Sequence, residues 1–254
     1  MPFDITSPMN DRIKWLIRLR ERRHRDRDCV FLVEGERLYG RALLAGLVPV
    51  ATFVADPGTE TTGETITVDP SVLDRVSYRS RSEGLVAVFP MLDTQLSGIE
   101  AGEDPMILIL ENIEKPGNLG AMARTASVAG ASALIAVGSV DVHNPNAVRA
   151  STGAVFDIPI AVTGWEALTP WLAARGVEVI VASVQGHEPL WETDLTGPVA
   201  IVIGAEDRGH SEEAEQRSDR LVAIPQADGN VDSLNASVAA AVLLFEAVRQ
   251  RSGR

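Results

Sequence analysis

The sequence predicts an α/β protein with a mainly parallel sheet in its second half, preceded by a smaller α/β module. Near-continuous apolar runs recur along the second half, which is typical of strands covered on both faces. Segments with helical spacing of apolar residues separate these runs, and strand, loop and helix in alternation indicate a parallel sheet. The 254 residues, 45% of them hydrophobic, suffice for one large domain or two modest ones.

The first 90 residues predict an alternating helix and strand module. A helix is expected over residues 11–22, because Ile13, Leu16, Ile17 and Leu19 have the spacing of an inward-facing side. The further elements predicted here are strands in CVFLVEG, ATFVAD, TITVD and GLVAVF, and a helix in ERLYGRALLAG.

The apolar periodicity is lost over residues 91–104, which collect Gly, Asp, Glu and Pro. We therefore place a linker there, between a domain over residues 1–90 and a domain over residues 105–254. In the second domain, strands are predicted in MILILEN, ALIAVG, VEVIVASV, VAIVIG and LVAIP, and helices over residues 119–129, 145–152, 165–175 and 232–251. Helical spacing in the last helix predicts a buried face of Leu234, Val238, Val242, Phe245 and Val248.

The net charge of −12 argues against a generic polyanion binder. The charge is uneven, however, because residues 12–27 hold seven arginines and one lysine against only Glu21 and Asp26. Two interpretations of this basic arm stand: a nucleic-acid-binding surface, or a solvated amphipathic helix whose arginines lie on its outer face.

No stretch reaches the roughly 18 apolar residues of a membrane span, and the amino-terminal residues lack the apolar core of a signal peptide. The single cysteine, Cys29, has no CxxC partner or histidine cluster, so a small packing residue is expected rather than a metal ligand. These features predict a soluble, cytoplasmic protein with no membrane association and no bound metal.

In a parallel sheet, ligands bind where loops leave the carboxyl ends of strands. The first such loop is IEKPGNLGAMARTA, in which Gly117 and Gly120 allow close backbone approach to a ligand at a helix start. Taken alone, Asn118 is more typical of a helix cap and Arg124 of a salt bridge. The spacing matches neither GxGxxG nor GxxxxGK[ST], which argues against a dinucleotide or P-loop site.

Two further loops place polar residues at strand ends. VIGAEDRGHSEEAEQR holds Glu206 just beyond a strand and Ser211 where a helix cap is expected. AIPQADGNVDSLNASVAAA holds Ser233 and Asn235 in the predicted first turn of the last helix, where they cap the helix or face a ligand.

These loops resemble the three motifs of the SpoU, or TrmH, family of RNA ribose 2′-O-methyltransferases in the SPOUT superfamily. NLGAMARTASVAGA is similar to motif 1, VIGAEDRG to motif 2, and IPQADGNVDSLNASVAAAVLLFEAVRQR to motif 3. The resemblance covers about residues 105–251 in the family's order. KWLIRLRERRHRDRDCVFLVEGERLYGRALLAG also resembles the L30e-like substrate-binding domain that precedes the catalytic domain in many members.

The resemblance implies a SPOUT sheet with a deep trefoil knot, S-adenosylmethionine as methyl donor, an RNA substrate and a homodimer. Motif 3 departs from the family pattern in its polar, one-residue-longer segment 226–232. Matched by position, the implied catalytic residues are Asn118, Arg124, Glu206, Ser233 and Asn235, and the implied cofactor-binding residues are Ser183, Gly204, Ala205, Ile224 and Leu234.

A guanidinium is protonated and has no acceptor lone pair, so Arg124 is a poor general base. We expect it to hold an RNA phosphate and stabilise the developing alkoxide, while a phosphate oxygen or water takes the proton. The L30e-like module favours ribosomal RNA as substrate. The alternatives are a tRNA 2′-O-methyltransferase, a non-catalytic RNA-binding protein, and a nucleotide-dependent oxidoreductase or transferase on an ordinary doubly wound sheet.

Overall fold

The apolar runs of the sequence form buried strands in a computed structural model, which describes residues 3–77, 81–138, 140–227 and 234–253. The helices are α1 (Asp11–Arg18), α2 (Arg22–Asp28), α3 (Glu36–Leu44), α4 (Pro70–Leu73), α5 (Pro116–Ala129), α6 (Pro145–Ala150), α7 (Trp165–Ala173), α8 (Glu212–Gln216) and α9 (Ala236–Arg251). The strands are β1 (Val30–Glu34), β2 (Ala51–Val54), β3 (Thr65–Thr67), β4 (Leu85–Pro90), β5 (Met106–Glu111), β6 (Ala133–Val137), β7 (Ile160–Thr163), β8 (Glu178–Ala182), β9 (Glu188–Pro189), β10 (Val199–Ile203) and β11 (Arg220–Ala223).

The chain divides into two compact units, one of residues 1–92 with 143–156 and one of residues 93–142 with 157–254. The first unit contains a four-stranded sheet in the order β1-β4-β2-β3, in which only the β2 and β3 pair is parallel. Residues 143–156 belong to this unit, where His143 and Phe156 pack against the ring of Phe31. The strands predicted for the first 90 residues are all confirmed.

The second unit contains a seven-stranded parallel sheet in the order β7-β6-β5-β10-β8-β11-β9. Every residue of the central strands β5 and β10 is buried, as their continuous apolar runs predict. The predicted α/β architecture is therefore confirmed, although the short strands β7 and β9 were not predicted. None of the described helices has both the length and the apolar character needed to cross a bilayer.

The single helix predicted over residues 11–22 is wrong, because the helix is interrupted between α1 and α2. At this break Arg25 is fully buried, and its guanidinium donates hydrogen bonds to the carbonyls of Leu19 and Arg20, at 3.0 and 2.8 Å. Arg20 in turn donates to the carbonyls of residues 75–77. Part of the basic arm therefore stabilises the fold and is not available to a ligand.

The buried face predicted for the last helix is also wrong. Val238 and Phe245 are each 46% exposed, and the buried side of α9 is formed by Ala236, Ala240, Leu243, Leu244 and Ala247. Both sides of α9 are apolar, so the spacing alone did not identify the buried one. Helix α9 packs against α5 and β10. The helix begins at Ala236, and the part of the prediction over residues 232–233 lies outside the described residues.

Candidate functional site

Four neighbouring strands of the second unit end at one edge of the sheet. Strands β5, β10, β8 and β11 are adjacent and parallel, and their registers align Leu110 with Ile203 and Ala182 with Val222. The carboxyl ends of parallel strands meet at the same edge. The loops that the sequence singled out therefore begin beside one another.

A cavity of about 730 Å³ opens at this edge, within the range of small-molecule sites. Apolar groups from Ile203, Val222 and Ala239 line it together with the polar side chain of Gln226. The five residues predicted to bind a cofactor, Ser183, Gly204, Ala205, Ile224 and Leu234, all line this cavity.

Gly204 begins a tight loop that forms one wall of the cavity. A Cβ at this position would overlap the backbone of Gly209 and His210, so only glycine allows the loop to fold back on the strand end. The Gly209 N–H donates to the Ala205 carbonyl at 2.9 Å, and Gly209 has a left-handed φ of 71°. The short turn directs Glu206 to the cavity, of which Glu206 is a lining residue.

Asn118 does not cap its helix, contrary to what it suggests when taken alone. Helix α5 begins at Pro116, a residue suited to the first helical position, and Asn118 lies in the first turn. Its side-chain amide donates to a carboxylate oxygen of Glu206. The other oxygen of Glu206 lies 3.4 Å from Lys115 Nζ, and the Glu206 side chain is only 17% exposed. The first and second loops thus meet through a partly buried polar contact.

The other predicted catalytic residues are not brought into this contact. Arg124 is exposed on α5, about 9 Å beyond Asn118 along the helix axis, and its side chain forms no hydrogen bond or ion pair with another described residue. Asn235 is the N-cap of α9, and its Oδ1 accepts hydrogen bonds from the Ser237 N–H at 2.9 Å and hydroxyl at 2.6 Å. Ser233 lies outside the described residues.

Sequence reasoning missed Glu111, the last residue of β5. The residue is 2% exposed, and its carboxylate accepts hydrogen bonds from Ser211 and Trp165. A lone acidic residue that ends an otherwise apolar strand is a signal that could have identified it. The predicted cap at Ser211 is confirmed, since its Oγ accepts from the Ala214 N–H at 3.1 Å. In the described part of the chain, no group of three His, Cys, Asp or Glu side chains is placed to hold a metal ion.

Two family models match the chain in succession. Residues 105–245 match the SpoU rRNA Methylase family, which includes all three loops of the site. Residues 10–87 match the MRM3-like substrate binding domain.

Known proteins with similar sequences are named as 23S rRNA 2′-O-methyltransferases. A 23S rRNA (guanosine-2′-O-)-methyltransferase, RlmB, of Ralstonia nicotianae is 40% identical, over 74% of this chain and 77% of its own length. A 23S rRNA (uridine(2479)-2′-O)-methyltransferase of Streptomyces viridochromogenes is 33% identical, over 95% of this chain and 90% of its own. The crystal structure of an AdoMet-bound rRNA methyltransferase from Sinorhizobium meliloti superposes with a TM-score of 0.88 at 32% identity, covering 96% of this chain and 97% of that one.

Proposed function

Because this chain belongs to the SpoU rRNA methylase family, we propose that it transfers a methyl group from S-adenosylmethionine to a ribose 2′-hydroxyl of ribosomal RNA. One observation supports this most directly. The Asn118 side chain, from the first loop, bonds to Glu206, from the second, beside a cavity lined by the five residues implied to bind the donor. Two loops distant in sequence therefore assemble one polar site at the predicted edge.

The residues that line the cavity fit S-adenosylmethionine. The donor supplies a methyl group activated by a sulfonium. Its adenosine requires apolar contact with a few polar groups, and Ile224, Leu234 and Ala239 provide the first while Ser183 and Gln226 provide the second. The glycine turn at Gly204 brings main-chain groups to the same wall.

We assign the polar residues to the RNA side of the site. Asn118 and Glu206 orient the ribose hydroxyl, since both are partly buried and each fixes the other. Arg124, exposed and free of partners among the described residues, binds an RNA phosphate, and a phosphate oxygen or water takes the hydroxyl proton. Asn235 acts by fixing the start of α9, where Ala236 and Ala239 line the cavity. Ser233 is the motif 3 partner by its position in the sequence.

Ribosomal RNA is the proposed substrate because the first unit matches a substrate-binding domain over residues 10–87 and because the relatives at 40% and 33% identity are 23S rRNA enzymes. Methylation of a ribose needs no base recognition at the reacting atom, so RNA shape must be recognised elsewhere. We propose that residues 1–90 form this recognition domain, joined by a linker at 91–104 to the catalytic domain at 105–254, although residues 143–156 belong to the first compact unit. A tRNA substrate is the alternative.

A homodimer is supported by an apolar surface on the second unit. Val128 on α5 is 71% exposed, and Val238 and Phe245 on α9 are each 46% exposed. Helices α5 and α9 pack together, so these side chains belong to one helical layer. Exposed large apolar groups of this kind are typical of protein interfaces. We propose that a second copy of the chain covers these side chains in a homodimer. We also propose that the protein acts in the cytoplasm.

A trefoil knot is supported by the order of the strands. Strand β11 lies between β8 and β9, which are consecutive in sequence and joined only by residues 183–187. At Gly186 this connection passes so close to β11 that a Cβ would lie 2.6 Å from Ala223 N and 2.7 Å from Val222 C. Such a crossing is rare in ordinary folds, and we propose that the chain is knotted here.

The proposed substrate is tested by mapping 2′-O-methylated riboses in total RNA from cells with and without this protein. We expect one or a few sites to be lost from ribosomal RNA. Loss confined to tRNA would favour the alternative substrate, and loss from neither would contradict the proposal.

A further inference from the structure

Among the described residues, the carboxylate of Glu111 is the most deeply buried acidic group near the site, and hydrogen-bond donors surround it. Its Oε1 accepts from Trp165 Nε1 at 2.7 Å and from the Ser211 hydroxyl at 2.6 Å, and its Oε2 accepts from the Ser211 backbone N–H at 2.8 Å. A buried polar group left without partners costs substantial free energy. These contacts therefore strongly favour one position of Ser211.

Glu111 connects the two loops that form the site. It ends β5 and is followed within a few residues by α5, which holds Asn118. Ser211 closes the loop that begins at Gly204 and contains Glu206. One end of that loop is fixed by β10 and the other by Glu111, so the carboxylate sets where Glu206 lies relative to Asn118.

We propose that Glu111 is a positioning residue that holds loop 204–211 in the conformation that binds the methyl donor and presents Glu206 to Asn118. This inference rests on the proposed function for the identity of the donor. Glu111 itself is 2% exposed and does not line the cavity, so it acts through Ser211 and touches neither reactant.

Four variants separate positioning from general stability. Glu111→Gln keeps the volume but turns an amide nitrogen toward one of the donors. Ser211→Ala removes the hydroxyl, and Ser211→Thr restores it. Trp165→Phe is the matched control, because it removes a donor to the same carboxylate from α7 and leaves the loop contacts in place. Each variant is assayed for thermal unfolding, S-adenosylmethionine binding by calorimetry, amide hydrogen exchange over residues 205–211, and kcat and KM.

We expect Ser211→Ala to weaken donor binding about fivefold and Glu111→Gln at least that much, as befits the loss of one or more hydrogen bonds. Both variants should speed amide exchange in the loop and raise KM for the donor. Trp165→Phe is expected to lower the unfolding temperature while donor affinity stays within about twofold of wild type, and Ser211→Thr should restore it. Ser211 also caps α8, so Glu111→Gln, which leaves that cap intact, must show the same faster exchange.

Wild-type donor affinity and loop protection in both Ser211→Ala and Glu111→Gln would overturn the positioning role. An equal loss of affinity in Trp165→Phe would also overturn it, since general destabilisation would then explain the effect. If Glu111→Gln does not fold, Glu111→Asp takes its place, because it keeps a carboxylate, shortens its reach to Ser211 and leaves the Ser211 cap of α8 intact. Failure of the wild type to bind the donor would contradict the proposed function instead, and the exchange measurement would still test the loop.

Discussion

The side-chain amide of Asn118 donates a hydrogen bond to the carboxylate of Glu206, which joins the first turn of α5 to the loop that follows β10. The two residues are separated by 88 positions in the chain. Their contact is possible because β5 and β10 are adjacent parallel strands that end together. The first prediction follows from this pair.

Asn118→Asp places a second carboxylate against Glu206, and the repulsion of like charges should displace both side chains. We expect kcat to fall at least tenfold, about 1.4 kcal/mol in the activation free energy. Lys115→Met is the control, because it removes only the exposed ion partner of Glu206 and such pairs contribute little. Single-turnover methylation of RNA measures the rate of each variant. Near-normal turnover by Asn118→Asp would show that this contact plays no part in the mechanism.

Arg124 is predicted to act on RNA and not on the methyl donor, since it is exposed on α5 and does not line the cavity. Arg124→Ala should lower kcat/KM for RNA by about 10- to 100-fold, the range for a hydrogen bond to a charged group, with donor affinity unchanged. Arg124→Lys should recover only part of the loss, because lysine lacks the planar pair of donors.

The matched control for Arg124 is Arg175→Ala, which removes an exposed guanidinium stacked on Trp171 near the end of α7. That position precedes β8 and therefore lies toward the opposite edge of the sheet. Full activity of Arg124→Lys would count against bidentate phosphate binding, and full activity of Arg124→Ala would exclude Arg124 altogether.

Gly204→Ala is predicted to weaken donor binding, because the added Cβ overlaps the backbone of Gly209 and His210 and the loop must shift. We expect donor affinity to fall more than about tenfold, or 1.4 kcal/mol. Gly197→Ala is the control, since a Cβ there meets nothing within 4 Å. Calorimetric titration with S-adenosylmethionine compares the two, and unchanged affinity in Gly204→Ala would show that the turn tolerates a side chain.

His143 is predicted to make the stability of the chain depend on pH. Burial, and secondarily the charge of Arg25, lowers the pKa of His143 to about 4, against an opposing effect of Asp26. In the unfolded chain His143 takes up a proton below about pH 6.5, whereas in the folded chain it does so only near pH 4. The contribution of neutral His143 to the free energy of unfolding is therefore complete above pH 6.5 and is lost as the pH falls toward 4. We expect the free energy of unfolding to fall by about 2 kcal/mol between pH 7 and pH 5.

Urea unfolding at pH 7 and pH 5 measures this difference. His143 Nε2 accepts a hydrogen bond from the Leu92 N–H at 3.0 Å, so His143→Gln retains an acceptor without the titration and should flatten the pH dependence by that amount. Substitution of the exposed His187 by Gln is the control and should leave it unchanged. An equal pH dependence in the wild type and His143→Gln would contradict the assignment.

The basic arm is predicted to bind RNA only through its exposed arginines. Arg18, Arg23 and Arg27 are exposed, whereas Arg25 is buried and holds the break between α1 and α2. Reversing the charge of those three should lower the salt dependence of RNA affinity by about 2 in the slope of log K against log salt. Filter binding across a salt series tests this, and an unchanged slope would leave the arm a solvated surface.

The buried strands could be predicted because a strand covered on both faces requires a continuous apolar run, and β5, β6 and β10 each have one. The five cavity residues could be placed because matched motifs fix positions at strand ends. The predictions that were wrong concern residues whose contacts are with partners elsewhere in the sequence. Arg25 donates hydrogen bonds to the carbonyls of Leu19 and Arg20 where the first predicted helix is interrupted. Asn118 lies inside the first turn of α5, and its side chain bonds to Glu206.

Helix α9 has two apolar sides, so the spacing of apolar residues could not predict which side is buried. Val238 and Phe245 have helical spacing, but the side with Ala240 and Ala247 is buried. The buried positions of α9, a helix that packs against α5, include the small residues Ala236, Ala240 and Ala247. Glu111 was missed for a related reason, because its role depends on Ser211 and Trp165, which lie 100 and 54 residues away in sequence.

The most direct test of the central claim is methyl transfer by the purified protein. Ribosomal RNA is incubated with S-adenosylmethionine labelled in its methyl group, and the digested nucleosides are separated by chromatography. We predict label in 2′-O-methylated nucleosides, at an initial rate lowered about 10- to 100-fold by Arg124→Ala and unchanged by Arg175→Ala. Label on a base, label only when tRNA is supplied, or no transfer by a protein that binds the donor would contradict the account.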